Sequence, residues 1–152
     1  MKRFKYKLNG LTIAIVIIGF VFCLTAIVFS ILKLIANEGI SDATVTLNVI
    51  AIVLAVLCSA VFVFICTMHY RVDAGGIKLV FGFFEIKSNS FTPDKIAAVV
   101  YKTKDNVLLV VSDLTPENPL GTLINIDSSL FNAFVKTLTD SGISFDYIED
   151  IN

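Results

Sequence analysis

The chain has 152 residues, 56% of them hydrophobic and only 16% charged, with a formal net charge of −1. That balance excludes the basic character expected of a nucleic-acid-binding protein. A single histidine, and three cysteines that all lie in apolar runs, leave too few clustered ligands for a zinc site.

Met1–Lys7 carries Lys2, Arg3, Lys5 and Lys7 and no acid. It reads as a basic juxtamembrane tail that sets topology rather than one that binds anionic lipid. Two uncharged runs follow, Leu11–Leu32 and Ala43–Met68, without Asp, Glu, Lys, Arg or His. A hydrocarbon core about 30 Å thick, crossed at about 1.5 Å per residue, needs about 20 apolar residues. Each run meets that length, and transmembrane helices are expected at about 11–35 and 43–68. The first run is too long for the hydrophobic region of a signal peptide and lacks an Ala-x-Ala cleavage site. Phe20-Val21-Phe22 before Cys23 is too bulky for a lipoprotein cleavage box, so the first helix is expected to remain as an anchor.

Lys33 closes the first run, with a stem long enough to snorkel to the headgroups. Asn37-Glu38-Gly39 supplies a stop, and Ser41-Asp42 supplies N-cap types for the second helix. So short a connection makes an antiparallel hairpin. Four cations precede the first helix and one lies in the loop, so the positive-inside rule places both termini in the cytoplasm of a two-pass protein of the cell membrane.

No ionisable group lies within either run, and Asn48 is the most polar side chain there. Ion and proton pathways usually contain intramembrane charges, which weighs against a transporter or channel. Ala51, Ala55 and Ser59 recur every four residues, as do Gly19 with Cys23 and Ala26 with Ser30. Such small residues let helix backbones approach closely, and packing within the hairpin explains them more simply than a dedicated dimer face. Cys23, Cys58 and Cys66 all sit in the runs, so no disulfide framework is expected in the remainder.

The hydrophobic period changes to two after His69-Tyr70-Arg71, aromatic and basic residues of the kind found at membrane interfaces. The lone His69 has no evident titrating partner. Arg71–Asp73, the Ala74-Gly75-Gly76 turn and Ile77–Phe81 read as a hairpin, followed by a less regular strand over Phe83–Phe91. Thr92–Lys95 is a turn or single helical turn with Pro93 at its start. Ile96–Lys102 and Val107–Val111 flank a hairpin turn, Thr103–Asn106. Leu114–Gly121 is a loop and Leu123–Ile126 a short strand. Asp127 or Ser128 caps a helix whose Leu130, Phe131, Phe134, Val135 and Leu138 share one face. Gly142 closes it, and Ile143–Ile148 alternates as a last strand. The chain is thus an α+β protein with a membrane hairpin over 1–68 and a soluble domain over 69–152.

The order Tyr70–Asp73, Gly75-Gly76, Ile77–Phe84, Asp94-Lys95-Ile96 with Val99, and then Ile124–Asp127 leading into Phe131, Phe134 and Leu138, resembles the bacterial pleckstrin-homology-like domains. These often follow one or two membrane helices. The resemblance covers Tyr70 to Leu138 and implies a bent antiparallel sheet or partial barrel plugged by one helix. It brings no activity with it, since one fold hosts many functions. Phosphoinositide-binding relatives in eukaryotes carry Lys and Arg around the first hairpin loop; Asp73–Gly76 has neither, which argues against that ligand.

No catalytic constellation is present. The one histidine stands beside no nucleophile, no Gly-rich phosphate loop occurs, and Glu149-Asp150 reads as solvating charge. No enzyme activity and no cofactor or metal are expected. Tyr70–Asn152 holds seven Lys and Arg against eleven Asp and Glu, a balance of −4, so neither nucleic acid nor an anionic headgroup is an expected ligand. The strongest local exception is Lys102 with Lys104, a weak basic patch if both lie on one strand face. The expected partners are the bilayer itself and another membrane protein or a second copy. The function that fits is a membrane-anchored interaction or regulatory module; the alternative is a small integral subunit of a transporter or channel complex.

The cation bias generates a topological prediction. In a chain whose native cysteines are replaced by alanine, an impermeant thiol reagent should label Gly39→Cys from outside and leave Asn118→Cys unmodified; the reverse pattern would invert the orientation.

Overall fold

The computed structural model describes residues 1–36, 41–112 and 121–150. The expected stop at Asn37–Gly39 and most of the Leu114–Gly121 loop lie outside the described residues.

Two apolar helices, α1 (Gly10–Ile35) and α2 (Asp42–Cys66), form one compact unit, Leu8–Cys66. Both are long and apolar enough to cross a membrane. Asn9 caps α1, its side-chain oxygen accepting the Thr12 N–H at 2.7 Å. α2 stops at Cys66 rather than Met68, because the backbone turns extended at Met68 to begin sheet pairing.

The second unit joins Met1–Lys7 to Thr67–Asn152. This moves the expected boundary: the basic tail is a strand of the α+β domain. β1 (Lys2–Lys5) pairs antiparallel with β2 (His69–Asp73), Lys2 opposite Val72 and Lys5 opposite His69. The pairing continues beyond the strand ends, with Tyr6 N–H donating to the Met68 carbonyl. Composition hid the strand because three of its four residues are cationic, and only Phe4 faces inward.

β3 (Gly76–Phe81) and β4 (Phe84–Phe91) complete a four-stranded sheet in the order β1-β2-β3-β4. At the β2–β3 turn Asp73 accepts the Gly75 N–H, and Gly76 adopts φ +108°. A Cβ on Gly76 would overlap the Phe91 carbonyl oxygen, so the position requires glycine for space as well as for conformation. β4 is irregular, as expected. Its residues from Ile86 to Phe91 oppose only Leu79 to Ile77, so the Lys87–Ser90 stretch bulges.

Pro93–Lys95 forms a single 3-10 turn with Pro93 at its first position. β5 (Ala98–Lys102), β6 (Val107–Val111), β7 (Gly121–Ile124) and β8 (Asp146–Asp150) make a second sheet, ordered β7-β6-β5-β8. Asn106, at φ 52°, closes the β5–β6 turn. Among the described residues all strand pairs are antiparallel except β5 with β8, which run parallel. Alternation marks a strand but fixes neither its neighbour nor its direction, so this pair was not legible in the sequence.

Asp127 accepts the Ser129 N–H at 3.0 Å and caps a 3-10 turn that runs into α3 (Phe131–Asp140). Gly142, at φ +77°, ends it. One core unites both sheets and α3. Tyr70, Val72, Ile77, Val99, Leu108, Val110, Phe134 and Leu138 are fully buried in it. Phe4 lies edge-on to Phe134 at 5.1 Å between ring centroids, so β1 and α3 close the core together.

Phe134→Ala and Phe4→Ala should each cost about 3–5 kcal/mol through lost transfer energy and a cavity. Because the rings touch, the double variant should cost less than the two singles combined. Denaturation of the full chain in detergent, followed on the domain's near-UV signal, measures both; strict additivity would show that β1 docks independently of α3.

Candidate interaction surfaces

Of the expected helix-packing residues, Gly19 in α1 stands against Phe62 of α2. Ala55 is buried, and Gly19, Cys23, Ala51 and Ser59 are half-buried. A Cβ on Gly19 would collide with the Phe62 ring, so the glycine exists to admit that ring. Ser59 donates its hydroxyl to the Ala55 carbonyl at 2.8 Å, so its hydrogen-bond donor is engaged within α2. Val16 and Ser30 are also buried, while Ala26 faces outward and does not belong to the stripe. The Asn48 Nδ2 is buried without a hydrogen-bond partner.

The interfacial role expected of Tyr70 is corrected by its burial. The ring is fully enclosed, stacked on Tyr6 with centroids 5.8 Å apart, and its hydroxyl accepts the Asn125 N–H at 3.4 Å. The Asn125 side chain donates to the Tyr6 hydroxyl at 2.9 Å, and the Asn125 backbone carbonyl accepts the Lys7 N–H at 2.6 Å. Lys7 and Asp127 add an exposed ion pair at 3.7 Å. Two hydrogen bonds from Ser129 and the nearby Lys7 hold the Asp127 carboxyl below its ordinary range. Burial pushes the Tyr70 hydroxyl from 10.0 up to about 12, opposed in part by the Asn125 N–H.

Lys102 and Lys104 do not share a strand face. Lys102 is the last residue of β5, in register with Asp150 on β8, while Lys104 stands exposed in the following turn. Cations converge instead on the outer side of the first sheet. Arg3 sits opposite Arg71, and Arg71 opposite Lys78. Such like-charge neighbours repel. Asp73 (3.4 Å from Arg71) and Glu85 (3.9 Å from Arg71, 3.7 Å from Lys78) offset the repulsion. Beside them, where β4 bulges, a groove of about 290 Å³ is lined by Lys78, Lys87, Lys95, Glu85, Ser90 and Thr92. Three lysines and one glutamate line it, and with Lys78 paired to Glu85 the groove keeps a net positive charge. The three lysines are dispersed in sequence and only the bulge assembles them, which is why inspection of the Asp73–Gly76 turn alone missed them.

Compared with protein-family models, with curated proteins and with solved structures, the chain finds no match. Among the described residues no group of His, Cys, Asp and Glu is arranged to hold a metal ion.

A folded pKa above the unfolded one means that the neutral Tyr70 is stabilised by folding. Its contribution should be complete below about pH 10 and lost as pH rises through about 12. Tyr70→Phe should therefore flatten the alkaline fall in thermal midpoint; an unchanged slope would assign that fall to other groups.

Proposed function

We propose that this chain is a two-pass protein of the cell membrane that holds a pleckstrin-homology-like interaction or regulatory domain at the cytoplasmic surface, without catalysis of its own. The observation that supports it most directly is the β1–β2 pair. Lys2–Lys5 precedes α1 and His69–Asp73 follows α2, yet they are neighbours in one sheet. Both therefore occupy the same side of any membrane that α1 and α2 cross, as an even number of spans requires. The excess of cations before α1 gives that side as the cytoplasm. Two four-stranded sheets closed by a late helix agree with the resemblance read from Tyr70 to Leu138.

The folded unit, Met1–Lys7 with Thr67–Asn152, carries eleven Lys and Arg against eleven Asp and Glu. The −4 balance of Tyr70–Asn152 is cancelled by the four cations of the N-terminal segment. Net acidity therefore does not repel an anionic partner, and the Lys78–Lys87–Lys95 groove offers it a place. An acidic segment of another membrane protein is the partner that this reading favours, its carboxylates exchanging water for ammonium groups in a partly enclosed groove.

Affinity capture from membranes with the full chain tests this. Lys78→Glu with Lys87→Glu and Lys95→Glu should abolish retention of an acidic partner while leaving the thermal midpoint of the domain within a few degrees. Equal capture by the wild-type and charge-reversed chains would remove the groove from the function.

A further inference from the structure

The β3–β4 hairpin ends in Gly82-Phe83, with Phe81 opposite Phe84. Gly82 supplies the left-handed conformation that the turn requires, at φ 59°. Turn geometry makes no demand for an aromatic residue at the neighbouring positions, where Gly, Asn, Asp and Ser are usual. Among the described residues the other two tight hairpin turns obey that preference, with Ala74-Gly75 and Thr103–Asn106. Phe83 is nevertheless 88% exposed and Phe84 66% exposed, the first being the most exposed large apolar side chain among the described residues.

The register places this tip. Lys5 pairs with His69, His69 with Val80 and Val80 with Glu85, so these residues form one row across the end of the first sheet. From that row three segments depart: Tyr6 toward α1, Met68 toward α2, and the Phe81–Phe84 turn. Only Thr67 and Met68 separate His69 from Cys66, the last residue of α2, a reach of at most about 11 Å. The turn extends from the same row by a comparable two to three residues, two strand spacings or fewer to the side. The end of the sheet bearing two exposed phenylalanines is therefore the end tethered to the apolar helices.

We infer that Phe83 and Phe84 form an interfacial anchor, inserted at the headgroup–acyl boundary of the bilayer that holds α1 and α2. The inference rests on the membrane reading above. Aromatic rings favour that depth, and withdrawing each from water yields a favourable free energy in proportion to the apolar area removed. Lys5 and Lys7 leave the same end of the sheet and would meet anionic headgroups beside the anchor. The rings thus hold the domain down at a second point besides its covalent tethers, which limits the tilt at which the lysine groove is presented.

The chain contains no tryptophan, so Phe83→Trp gives a single indole reporter in the full-length protein. The variant would be reconstituted in vesicles of phosphatidylcholine with phosphatidylglycerol, and vesicle association established by flotation. Its emission should shift to the blue of N-acetyltryptophanamide in buffer. Acrylamide quenching should fall severalfold, and lipid brominated near the top of the acyl chain should quench the indole. Water-like emission with full acrylamide access would overturn the anchor while flotation upheld the membrane reading. An indole shielded from acrylamide yet unquenched by brominated lipid would also overturn it, assigning the tip to a protein contact. Failure of the chain to float would overturn both readings together.

Discussion

The pairing of β1 with β2 is the constraint on which the rest of the protein depends. It joins a segment before the two apolar helices to one after them, and supplies Phe4 to the core and Tyr6 to the Tyr70–Asn125 cluster. Closing a flexible loop as long as the stretch between them would cost chain entropy for the return of one short strand. A helix pair changes that cost. When α1 and α2 form an antiparallel hairpin, Lys7 and Thr67 are returned to each other's vicinity by structure already formed, and the strands meet as nearly local neighbours. The same device makes the N-terminal segment indispensable to the domain, since without it β2 would become an exposed edge and Phe134 would lose its covering ring.

Electrostatics follow from that strand. Three of the four cations that composition assigns to a membrane flank belong to a folded sheet, where Arg3 faces Arg71. Tolerating this repulsion requires acids nearby, and Asp73 and Glu85 provide them at ion-pair distance. These pairs are partly solvated, and pairs of that kind contribute little to stability. Their consequence is spatial: Glu85 is drawn toward Arg71 and Lys78, while Lys87 and Lys95 remain beside the groove with no carboxylate of their own within ion-pair distance among the described residues.

The three tight β-hairpin turns among the described residues show how local chemistry divides between folding and function. Gly76 is required by the Phe91 carbonyl that fills the space a Cβ would occupy, and Asn106 by the left-handed conformation of its turn. Those positions are explained by the fold alone. Phe83 and Phe84 differ from them in lying exposed, outside the core, at a turn whose geometry does not call for aromatic residues. Large apolar side chains left this exposed mark surfaces where other molecules meet a protein.

The two long apolar helices, the α+β class, the Gly-assisted hairpin, the Pro93 turn and the Asp127-capped helix ending at Gly142 were all determined by the sequence by itself. Each depends on contacts within a few residues or on a simple hydrophobic period, and such signals survive without knowledge of the rest of the chain. Phe134 was placed in the core for the same reason, as the centre of a helical apolar stripe. What tertiary structure decided is everything that joins distant segments. A cationic strand with one inward residue carries no periodic signal, so β1 became visible only beside β2. The parallel β5–β8 pair, the burial of Tyr70 and the separation of Lys102 from Lys104 depend likewise on partners elsewhere in the sequence. Lys78, Lys87 and Lys95 became a groove only because β4 bulges, bringing together side chains that no spacing rule connects.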